Sequence, residues 1–409
     1  MKKKVAVIGG GPSGVLAAAY SAKNGNDTLL LEKNEKLLKK LYITGKGRCN
    51  ITNRCDISDF FGNIPVNAHF LYSALYSFTN EDIISLLESV DVAVKTERGN
   101  RVFPVTDKAG TVCDGFRRFL KESGAKVRLN TPVIKIVKNQ QTFDIITNSG
   151  TLEGFDKVIL ATGGMSYPTT GSTGDGYRFA KEFGHRVTPL EGNLVPLTTK
   201  ETFVSALSGL SLRNVSLRLK NKAGKVLYED FGEMMFTHFG ITGPLVISAS
   251  SHLKGEDCTV HLDLKPALDE KQLDERLLRD FLKFSNKAFR NSLDELLPKS
   301  LIPVVVEQSG IDPKKQCNAI TKEERRQLLT LLKNFTLHIT GKRPIQEAII
   351  TSGGVDVKEI NPSTMESKLM EGLYFCGEVL DIDGFCGGFN LQNCWSTGFV
   401  CADSIINNI

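Results

Sequence analysis

Three glycines and one acidic residue near the start of the chain have the types and spacing that could bind a dinucleotide. Gly9, Gly11 and Gly14 form a G-x-G-x-x-G pattern, and Glu32 follows Gly14 by 18 residues. In such a pattern the first glycine allows a tight turn, the second lets the backbone approach a pyrophosphate, and the third lets a helix pack against a strand. The acidic side chain accepts hydrogen bonds from ribose hydroxyls. We therefore predict a dinucleotide site in this stretch.

The elements that position these residues are predicted to be a strand, a helix and a second strand. Residues 5–8 are an apolar run short enough for a buried parallel strand, and residues 28–31 are a second such run that ends at Glu32. Residues 15–24 are predicted to be helical, with Gly25 at the end. The N-terminus of this helix favours negative charge, so the phosphates are expected to lie there.

Two further apolar runs end in glycine-rich turns. Residues 157–164 predict a strand that returns beside the first one and carries an Ala-Thr-Gly-Gly turn, which lies near the cofactor in FAD proteins. Residues 372–378 predict another strand, and residues 381–391 lead into a last helix at 392–406. A second helix N-terminus directed at the cofactor would favour negative charge on the N1/O2 edge of a flavin. A simple NAD site has no use for this tuning.

Two loops after the second strand carry charge and glycine. Residues 33–40 form a charged run in which Lys39 and Lys40 are candidates for phosphate or adenosine contacts, although such runs also form solvated faces. Residues 45–48, Gly-Lys-Gly-Arg, predict backbone that passes close to a flat or charged group. A flavin ring and its ribityl chain are the obvious candidates.

The composition limits the class of protein. The chain has 409 residues, which predicts two or three domains, and a net charge of +5 that neither indicates nor excludes a nucleic-acid partner. No apolar run reaches the length of a membrane span, about 18 residues. The apolar run after Lys4 meets Gly9 too soon for a cleaved signal sequence. Nine cysteines, an odd number without regular spacing, fit a reducing cytoplasm.

The middle of the chain differs in character from its two ends. Residues 212–228 predict a β-hairpin with its turn at 221–224, because apolar and polar side chains alternate. Residues 234–237, 259–264 and 335–340 add strands, which suggests a small sheet or barrel, and residues 268–332 are predicted to be mainly helical. We predict a first part of one domain at 1–191, an insert at 192–343 that is β-rich at 192–266 and 335–343 and helical at 267–334, and a second part at 344–409.

Seven motifs spread over nearly the whole chain keep their order and carry a family resemblance. They are GGGPSG at 9–14, TGKGRCNITN at 44–53, NRVFPVTDKA at 100–109, TGSTGDGY at 170–177, MMFTHFGITGP at 234–244, TSGGV at 351–355 and YFCGEVLDIDGFCGGFN at 374–390. They resemble the bacterial flavoproteins called BaiN-like or aminoacetone-oxidase-like NAD(P)/FAD-dependent oxidoreductases. The resemblance implies an α/β fold in which a Rossmann-type FAD-binding domain is interrupted by an inserted β-barrel-like domain with a helical subdomain. At Cys386 the family usually has another residue, so this cysteine is given no catalytic role.

The resemblance also implies which residues bind FAD. These are Gly9, Gly11, Gly14, Glu32, Lys33, Arg48, Thr162, Gly163, Gly377, Glu378, Asp381, Gly388, Asn390 and Leu391. The predicted set of cofactor contacts further includes Pro12, Ser13, Lys40, Thr44, Gly45, Gly47, Cys49, Asn50, Val133, Gly164, Gly387 and Phe389.

One histidine and one cysteine pair are candidates for chemistry beyond the cofactor. His238 precedes Pro244, which suits a first helical turn, so it is predicted at a strand-to-helix junction as a proton donor or a hydrogen-bonded core residue. Cys49 and Cys55 are spaced C-x5-C, whereas some FAD-dependent disulfide reductases have C-x4-C, so thiol chemistry is not favoured. Arg101 and Tyr167 are weaker candidates for orienting a substrate. The histidines have no metal-binding spacing, and no metal is predicted.

The expected reaction passes hydride from NAD(P)H through FAD to an activated C=C bond, with His238 as the proton donor. The substrate is either a small molecule or a uracil base of ribosomal RNA, which would become dihydrouridine. An RNA substrate would require a basic mouth, for which residues 271–290 and 314–326 are a modest hint. The alternatives are an oxidase that acts on a small amine such as aminoacetone with O2, and a flavin-loaded RNA-binding or sensor protein with little turnover. The oligomeric state stays open.

Overall fold

The chain forms two compact units in a computed structural model that describes residues 2–253, 255 and 257–407. The first unit comprises Met1–Asn193 and Ile345–Ile409, and the second comprises Leu194–Pro344. Each unit has its own hydrophobic core. The second unit is therefore an insert that folds around its own core between two segments of the first.

A five-stranded parallel sheet forms the centre of the first unit. Its strands, in spatial order, are Leu373–Phe375, Lys157–Leu160, Lys4–Ile8, Asp27–Leu31 and Lys126–Arg128. Val5, Ala6 and Val7 have no exposed surface, as expected of a parallel strand covered on both faces. The predicted return of the 157–160 strand beside the first strand is confirmed, since Val5 pairs with Lys157 in parallel.

The helices of the first unit surround this sheet. They are Pro12–Lys23, Lys39–Gly47, Ile57–Phe60, Tyr72–Ser77, Asn80–Ser89, Ala109–Glu122, Asp175–Glu182 and Phe389–Asn407. The first helix begins three residues before the predicted start, because Pro12 occupies its first turn, where a missing N–H costs nothing. The helix Asn80–Ser89 begins with a capping box, in which the Asp82 carboxylate accepts from the Thr79 N–H at 2.7 Å.

Three smaller sheets complete the first unit. Their strands are Val133–Lys138, Phe143–Thr147 and Gly150–Phe155 in one sheet, Thr52–Asn53, Arg101–Pro104 and Val94–Glu97 in another, and Glu191–Asn193 with Ile350–Ser352 in the third. The strand Gly150–Phe155 was not predicted. Only its last residue is buried, so its sequence lacks the apolar alternation that marks a half-buried strand.

The inserted unit contains a closed six-stranded barrel. Its strands in order are Leu197–Thr199, Gly240–Thr242, Val226–Thr237, Ser211–Asn221, Cys258–Asp263 and Phe335–Lys342, and its helices are Pro244–Ser250, Glu270–Lys283, Ile302–Ser309 and Lys322–Lys333. The predicted barrel is confirmed. Residues 234–237 were wrongly predicted as a separate strand. They end one long strand, whose polar middle around Asp230 pairs with Leu217 and does not interrupt the ladder.

Candidate cofactor site

The glycine loop connects the first strand to the first helix. Gly9 has φ +110°, and a Cβ there would lie 2.4 Å from the carbonyl oxygen of Ala161. A Cβ on Gly14 would lie 2.0 Å from the carbonyl oxygen of Gly9, so the helix packs directly on the turn. At Gly11, by contrast, a Cβ would meet nothing within 4 Å. The loop is therefore tight where helix and strand meet and open at the helix N-terminus, where N–H groups are available to an anion.

Glu32 links the end of the second strand to this loop. One carboxylate oxygen accepts a hydrogen bond from the Gly10 N–H at 2.7 Å, and the other accepts from the Asn34 backbone and side-chain N–H groups at 2.8 and 2.7 Å. Glu32 is only 8% exposed. A carboxylate has about four acceptor positions, so these three bonds fix its orientation and leave capacity for a ribose hydroxyl.

The Ala-Thr-Gly-Gly turn lies against two segments from the far end of the chain. A Cβ on Gly164 would lie 2.4 Å from the Thr351 hydroxyl and 3.2 Å from the Glu378 carboxylate. The Thr351 hydroxyl accepts from the Met165 N–H at 2.7 Å, and the Thr351 N–H donates to Glu378 at 2.9 Å. A Cβ on Gly163 would lie 3.9 Å from the same carboxylate. Motifs separated by about half of the chain therefore meet at one edge of the sheet.

Lys40 forms a largely buried ion pair in the same place. Its ammonium group donates to both oxygens of Glu378, at 2.7 and 3.0 Å, and to the Ser166 hydroxyl at 2.6 Å. The side chains of Lys40 and Glu378 are 19% and 17% exposed. Of the two candidates, Lys40 thus points into the site, whereas Lys39 pairs with the exposed Glu35.

The Gly-Lys-Gly-Arg segment breaks the second helix. Thr44 is extended, and Gly45, Lys46 and Gly47 have φ of +57°, +58° and +82°. The backbone therefore turns sharply here, as the two glycines predict. The Arg48 guanidinium, however, binds Glu97 and the Asp107 carboxylate and stacks 4.2 Å above the Phe103 ring.

A second glycine-led helix begins at Gly387-Gly388. Gly388 has φ +103°, and a Cβ there would lie 2.4 Å from the Thr52 carbonyl oxygen. Further along this last helix, a Cβ on Gly398 would lie 2.6 Å from the Ser13 carbonyl oxygen. A Cβ on Gly377 would lie 2.4 Å from the Ser13 hydroxyl. The last helix thus packs on the first helix through small residues.

The other residues predicted to contact FAD either bond to other parts of the chain or lie in neighbouring segments. The Asn390 amide holds the loop before its own helix, since it donates to the Gly384 carbonyl at 2.6 Å and accepts from the Gly384 N–H at 2.8 Å. Lys33 pairs with Asp175 at 2.7 Å. Val133 begins a strand of one of the smaller sheets. The remaining residues lie within the segments already described: Pro12, Cys49, Asn50, Thr162, Asp381, Phe389 and Leu391.

Several buried polar atoms in these segments lack a hydrogen-bond partner among the described residues. They include Asn50 Oδ1, Thr162 Oγ1, Asp383 Oδ1 and both amide atoms of Asn393. Unsatisfied buried groups are costly, so each calls for a partner from outside the chain. The open face at Gly11 and these atoms fit FAD, a ligand with a pyrophosphate, hydroxyl groups and a flavin ring edge rich in donors and acceptors. The prediction of individual contacts stays a prediction.

Asp383 is a buried acid that the sequence pattern did not predict, whereas Asp381, two residues earlier, was predicted to contact FAD. Asp383 is 1% exposed, and one carboxylate oxygen accepts from Ser352 at 2.5 Å and Asn193 at 3.3 Å. Burial raises its pKa to about 6. Burial also raises the pKa of Tyr177, and the charges of Glu378, Asp383 and Asp381 raise it further. The only signal in the sequence was the doubled acid in Asp-Ile-Asp.

Cys49 is fully buried, and burial raises the pKa of its thiol to about 12. At about pH 8 such a thiol is ionised in about one molecule in ten thousand, so we expect no reaction with a maleimide in the native protein. The exposed Cys386 serves as the internal control and should be labelled rapidly. Timed labelling followed by peptide mass spectrometry measures both. Rapid labelling of Cys49, or a gain of two reactive thiols after NADPH is added, would restore the dithiol hypothesis.

His238 lies in the turn between the strands Val226–Thr237 and Gly240–Thr242 of the barrel. The predicted strand-to-helix junction is therefore wrong, because a short third strand intervenes before the helix at Pro244. His238 is exposed and contacts the Phe239 ring, with a centroid distance of 5.0 Å. It is thus not a buried core histidine.

The described part of the chain contains neither a cluster of metal ligands nor a membrane-spanning helix. There, no three His, Cys, Asp or Glu side chains are grouped so that they could hold a metal ion. None of the helices there combines the length and the apolar character that crossing a bilayer requires.

The fold has counterparts among solved structures. One is the 3-ketosteroid-Δ4-(5α)-dehydrogenase from Rhodococcus jostii RHA1, with a TM-score of 0.50 and 13% identity over 98% of this chain and 97% of that chain. At this identity the likeness shows the fold alone. Together with the glycine loop and the acidic residue after the second strand, this fold defines a dinucleotide-binding protein of the Rossmann type.

The family is shown by the sequence. Residues 3–404 match the model of the HI0933-like protein Rossmann domain, so the chain belongs to the HI0933-like family. It is 32% identical to the ribosomal RNA dihydrouridine synthase of Haemophilus influenzae over 98% of this chain and 97% of that protein. It is 31% identical to the 3-dehydro-bile acid delta(4,6)-reductase of Clostridium scindens over 97% of both chains. The predicted resemblance and fold class are confirmed.

Proposed function

We propose that this enzyme uses NAD(P)H to reduce an activated C=C bond, and that its substrate is a uracil base in ribosomal RNA. The observation that carries the proposal is the full-length similarity to a ribosomal RNA dihydrouridine synthase. The similarity to a bile acid reductase supports the same reaction type on a small molecule, which is the second candidate. Both names describe reduction, whereas no relative named above is an amine oxidase.

FAD, when bound, supplies the hydride chemistry that protein side chains cannot perform. The chain's own residues bind and orient it. The helix N-termini at Pro12 and Phe389 favour negative charge, and Glu32 is positioned to accept from a ribose hydroxyl. The ion pair of Lys40 with Glu378 holds two segments of the site together. Reduction of a C=C bond also requires a proton in addition to the hydride, and a positioned side chain can deliver it.

We propose His238 as that proton donor. A His238→Asn variant should form dihydrouridine about 100-fold more slowly, the usual contribution of a general acid, while NADPH bleaches its flavin absorbance at the rate of the wild-type protein. His338→Gln is the control, because His338 is an exposed histidine of the same unit. An unchanged rate of dihydrouridine formation in the His238 variant would remove the residue from the mechanism.

The proposal is tested by anaerobic stopped-flow measurement of the flavin absorbance after mixing with NADPH, NADH or aminoacetone. Rapid bleaching by a nicotinamide, followed by dihydrouridine formation in ribosomal RNA from a deletion strain, is the expected result. Bleaching by aminoacetone alone with fast peroxide formation in air would replace the reductase with an oxidase. No bleaching by any of the three compounds would indicate a sensor or RNA-binding protein. Bleaching by a nicotinamide without reaction on RNA would favour the small-molecule substrate.

A reducing compartment such as the cytoplasm is proposed as the site of action. It contains both proposed substrates, NAD(P)H and ribosomal RNA, and it suits Cys49 and Cys55, which are both reduced thiols in the structure.

A further inference from the structure

Three aromatic side chains contact one another at the surface of the first unit. The Phe61 ring stacks on the rings of Tyr72 and Tyr76, at 5.4 and 6.3 Å with inclinations of 23° and 24°, and the two tyrosine rings lie 4.8 Å apart at an angle of 44°. Tyr72 and Tyr76 are 58% and 47% exposed, whereas Phe61 is half-buried. Exposed aromatic rings are normally scattered singly, so this group of three, which we call the aromatic surface, indicates a binding function.

A cleft of about 690 Å³ adjoins the aromatic surface, since residues 64–65 and 67–70, which lie between Phe61 and Tyr72 in the chain, form one of its walls. The other wall carries Lys358 and Lys368. Both lysines and His69 are exposed, and among the described residues that line the cleft none is acidic. The pKa of Tyr76 is raised by burial and, to a smaller extent, by the negative charge of Asp56. Because this negative charge lies beside the aromatic surface, the positive charge resides in the cleft.

The segment that carries these residues is anchored to the second glycine-led motif. The buried Phe60 ring lies 5.1 Å from the ring of Phe389, the first residue of the last helix. The Asn67 side chain donates to the Asp381 carbonyl at 2.6 Å. The aromatic surface and the cleft are therefore held next to the loop from which we predict contacts to FAD.

We infer that the aromatic surface and the cleft together bind single-stranded RNA, which presents a uracil to the neighbouring cofactor site. This inference rests on the proposed function. Exposed aromatic rings stack on unpaired bases, and lysines bind the phosphates between them. The bases of an RNA held in this way are unstacked from one another. A base must leave its stack before an enzyme can reduce its ring.

A second copy of the chain is a poorer partner for this surface. A closed dimer formed through it would place two positive clefts face to face, and like charges oppose such contacts. A polyanion is attracted by the same charge. A base has two flat apolar faces, and the rings of the aromatic surface can stack on them.

The first test measures binding of a fluorescein-labelled oligouridylate of about 12 nucleotides to the FAD-loaded protein by anisotropy. A variant with Tyr72→Ala and Tyr76→Ala should bind at least about fivefold more weakly, the loss expected for one stacked base. Phe231→Ala is the matched control, because Phe231 is 43% exposed on the barrel. Equal affinity of the wild type and the tyrosine variant would overturn the inference, as would a shift to dimers in the wild type that the variant abolishes.

The second test separates charge from stacking. A variant with Lys358→Gln and Lys368→Gln should reduce the slope of log affinity against log salt by about 1.4, or about 0.7 for each lost phosphate contact. A variant with Lys271→Gln and Lys314→Gln removes charge from the two stretches of the inserted unit, 271–290 and 314–326, that the sequence suggests as a basic mouth. An unchanged slope in the first variant with a reduced slope in the second would move the RNA site to the inserted unit and overturn the inference.

The inference and the proposed function fail in different ways. Dihydrouridine formation by the wild type with an unchanged KM for RNA in the tyrosine variant would refute the aromatic surface and leave the reductase intact. RNA binding that depends on the tyrosines, without any dihydrouridine, would refute the RNA reductase and support the surface. In every variant, bleaching of the flavin by NADPH should match the wild type.

Discussion

A Gly14→Ala variant is expected to be purified without FAD and to be less stable than the wild type by about 1–3 kcal/mol, the cost of overpacking a tight contact. Its Cβ would lie 2.0 Å from the Gly9 carbonyl oxygen and 3.0 Å from the Ala161 side chain. A backbone oxygen cannot rotate away as a flexible side chain can. The helix Pro12–Lys23 must therefore move away from the first strand, and its N-terminus moves with it.

A Gly11→Ala variant should lose FAD affinity, while the stability of its FAD-free form stays close to that of the wild type. Gly11 has φ −78°, which any residue adopts, and its Cβ would meet no atom of the chain within 4 Å. We expect the stability of the FAD-free protein to change by less than about 0.5 kcal/mol. FAD affinity should nevertheless fall, because the methyl group occupies the space in front of the N–H groups that are predicted to bind the pyrophosphate.

Gly62→Ala is the control for both variants, since its Cβ would also lie in open space but outside the glycine loop. Urea unfolding followed by fluorescence of Trp395 reports on the first unit alone, because it is the single tryptophan of the chain and is fully buried there. Fluorescence titration gives the FAD affinity. If Gly11→Ala binds FAD as tightly as the wild type does, the pyrophosphate does not lie at this helix.

The local pattern of the sequence was sufficient to predict the elements of the glycine loop. Glycine spacing, a short apolar strand and a proline at a helix start are consequences of backbone geometry, which acts over a few residues. The barrel was also predictable, because its hairpin alternates with the period of a strand. The long strand Val226–Thr237 was predicted as two separate pieces. Its exposed middle, around Asp230, lacks the alternation of apolar and polar residues that predicts a strand.

Contacts between distant segments could not be predicted in the same way. Nothing near Lys40 indicates that its partner is Glu378, 338 residues away, or that Arg48 turns to Glu97 and Asp107. Such choices depend on which side chains the fold brings together. Asp383 was missed for the same reason, since its burial results from the packing of the loop and not from its neighbours in sequence.

Burial of Asp383 should make the FAD-free protein less stable as the pH rises. Its pKa is raised from 3.8 to about 6, so the folded state binds the proton more tightly than the unfolded state. The stability from this group is fully present below about pH 4 and is lost as the pH rises through about 6. The shift of about two units corresponds to roughly 3 kcal/mol at pH 7, because each unit is about 1.36 kcal/mol.

An Asp383→Asn variant removes this titration, so its free energy of unfolding relative to the wild type should increase by roughly 3 kcal/mol between about pH 4 and pH 7. Urea unfolding of the FAD-free proteins, followed by Trp395 fluorescence at a series of pH values, measures the difference. Asp91→Asn is the control, because it removes an exposed carboxylate from the same unit. A constant difference for Asp383→Asn would mean that the carboxylate is stabilised at neutral pH, so its unpartnered oxygen would not require a donor from FAD.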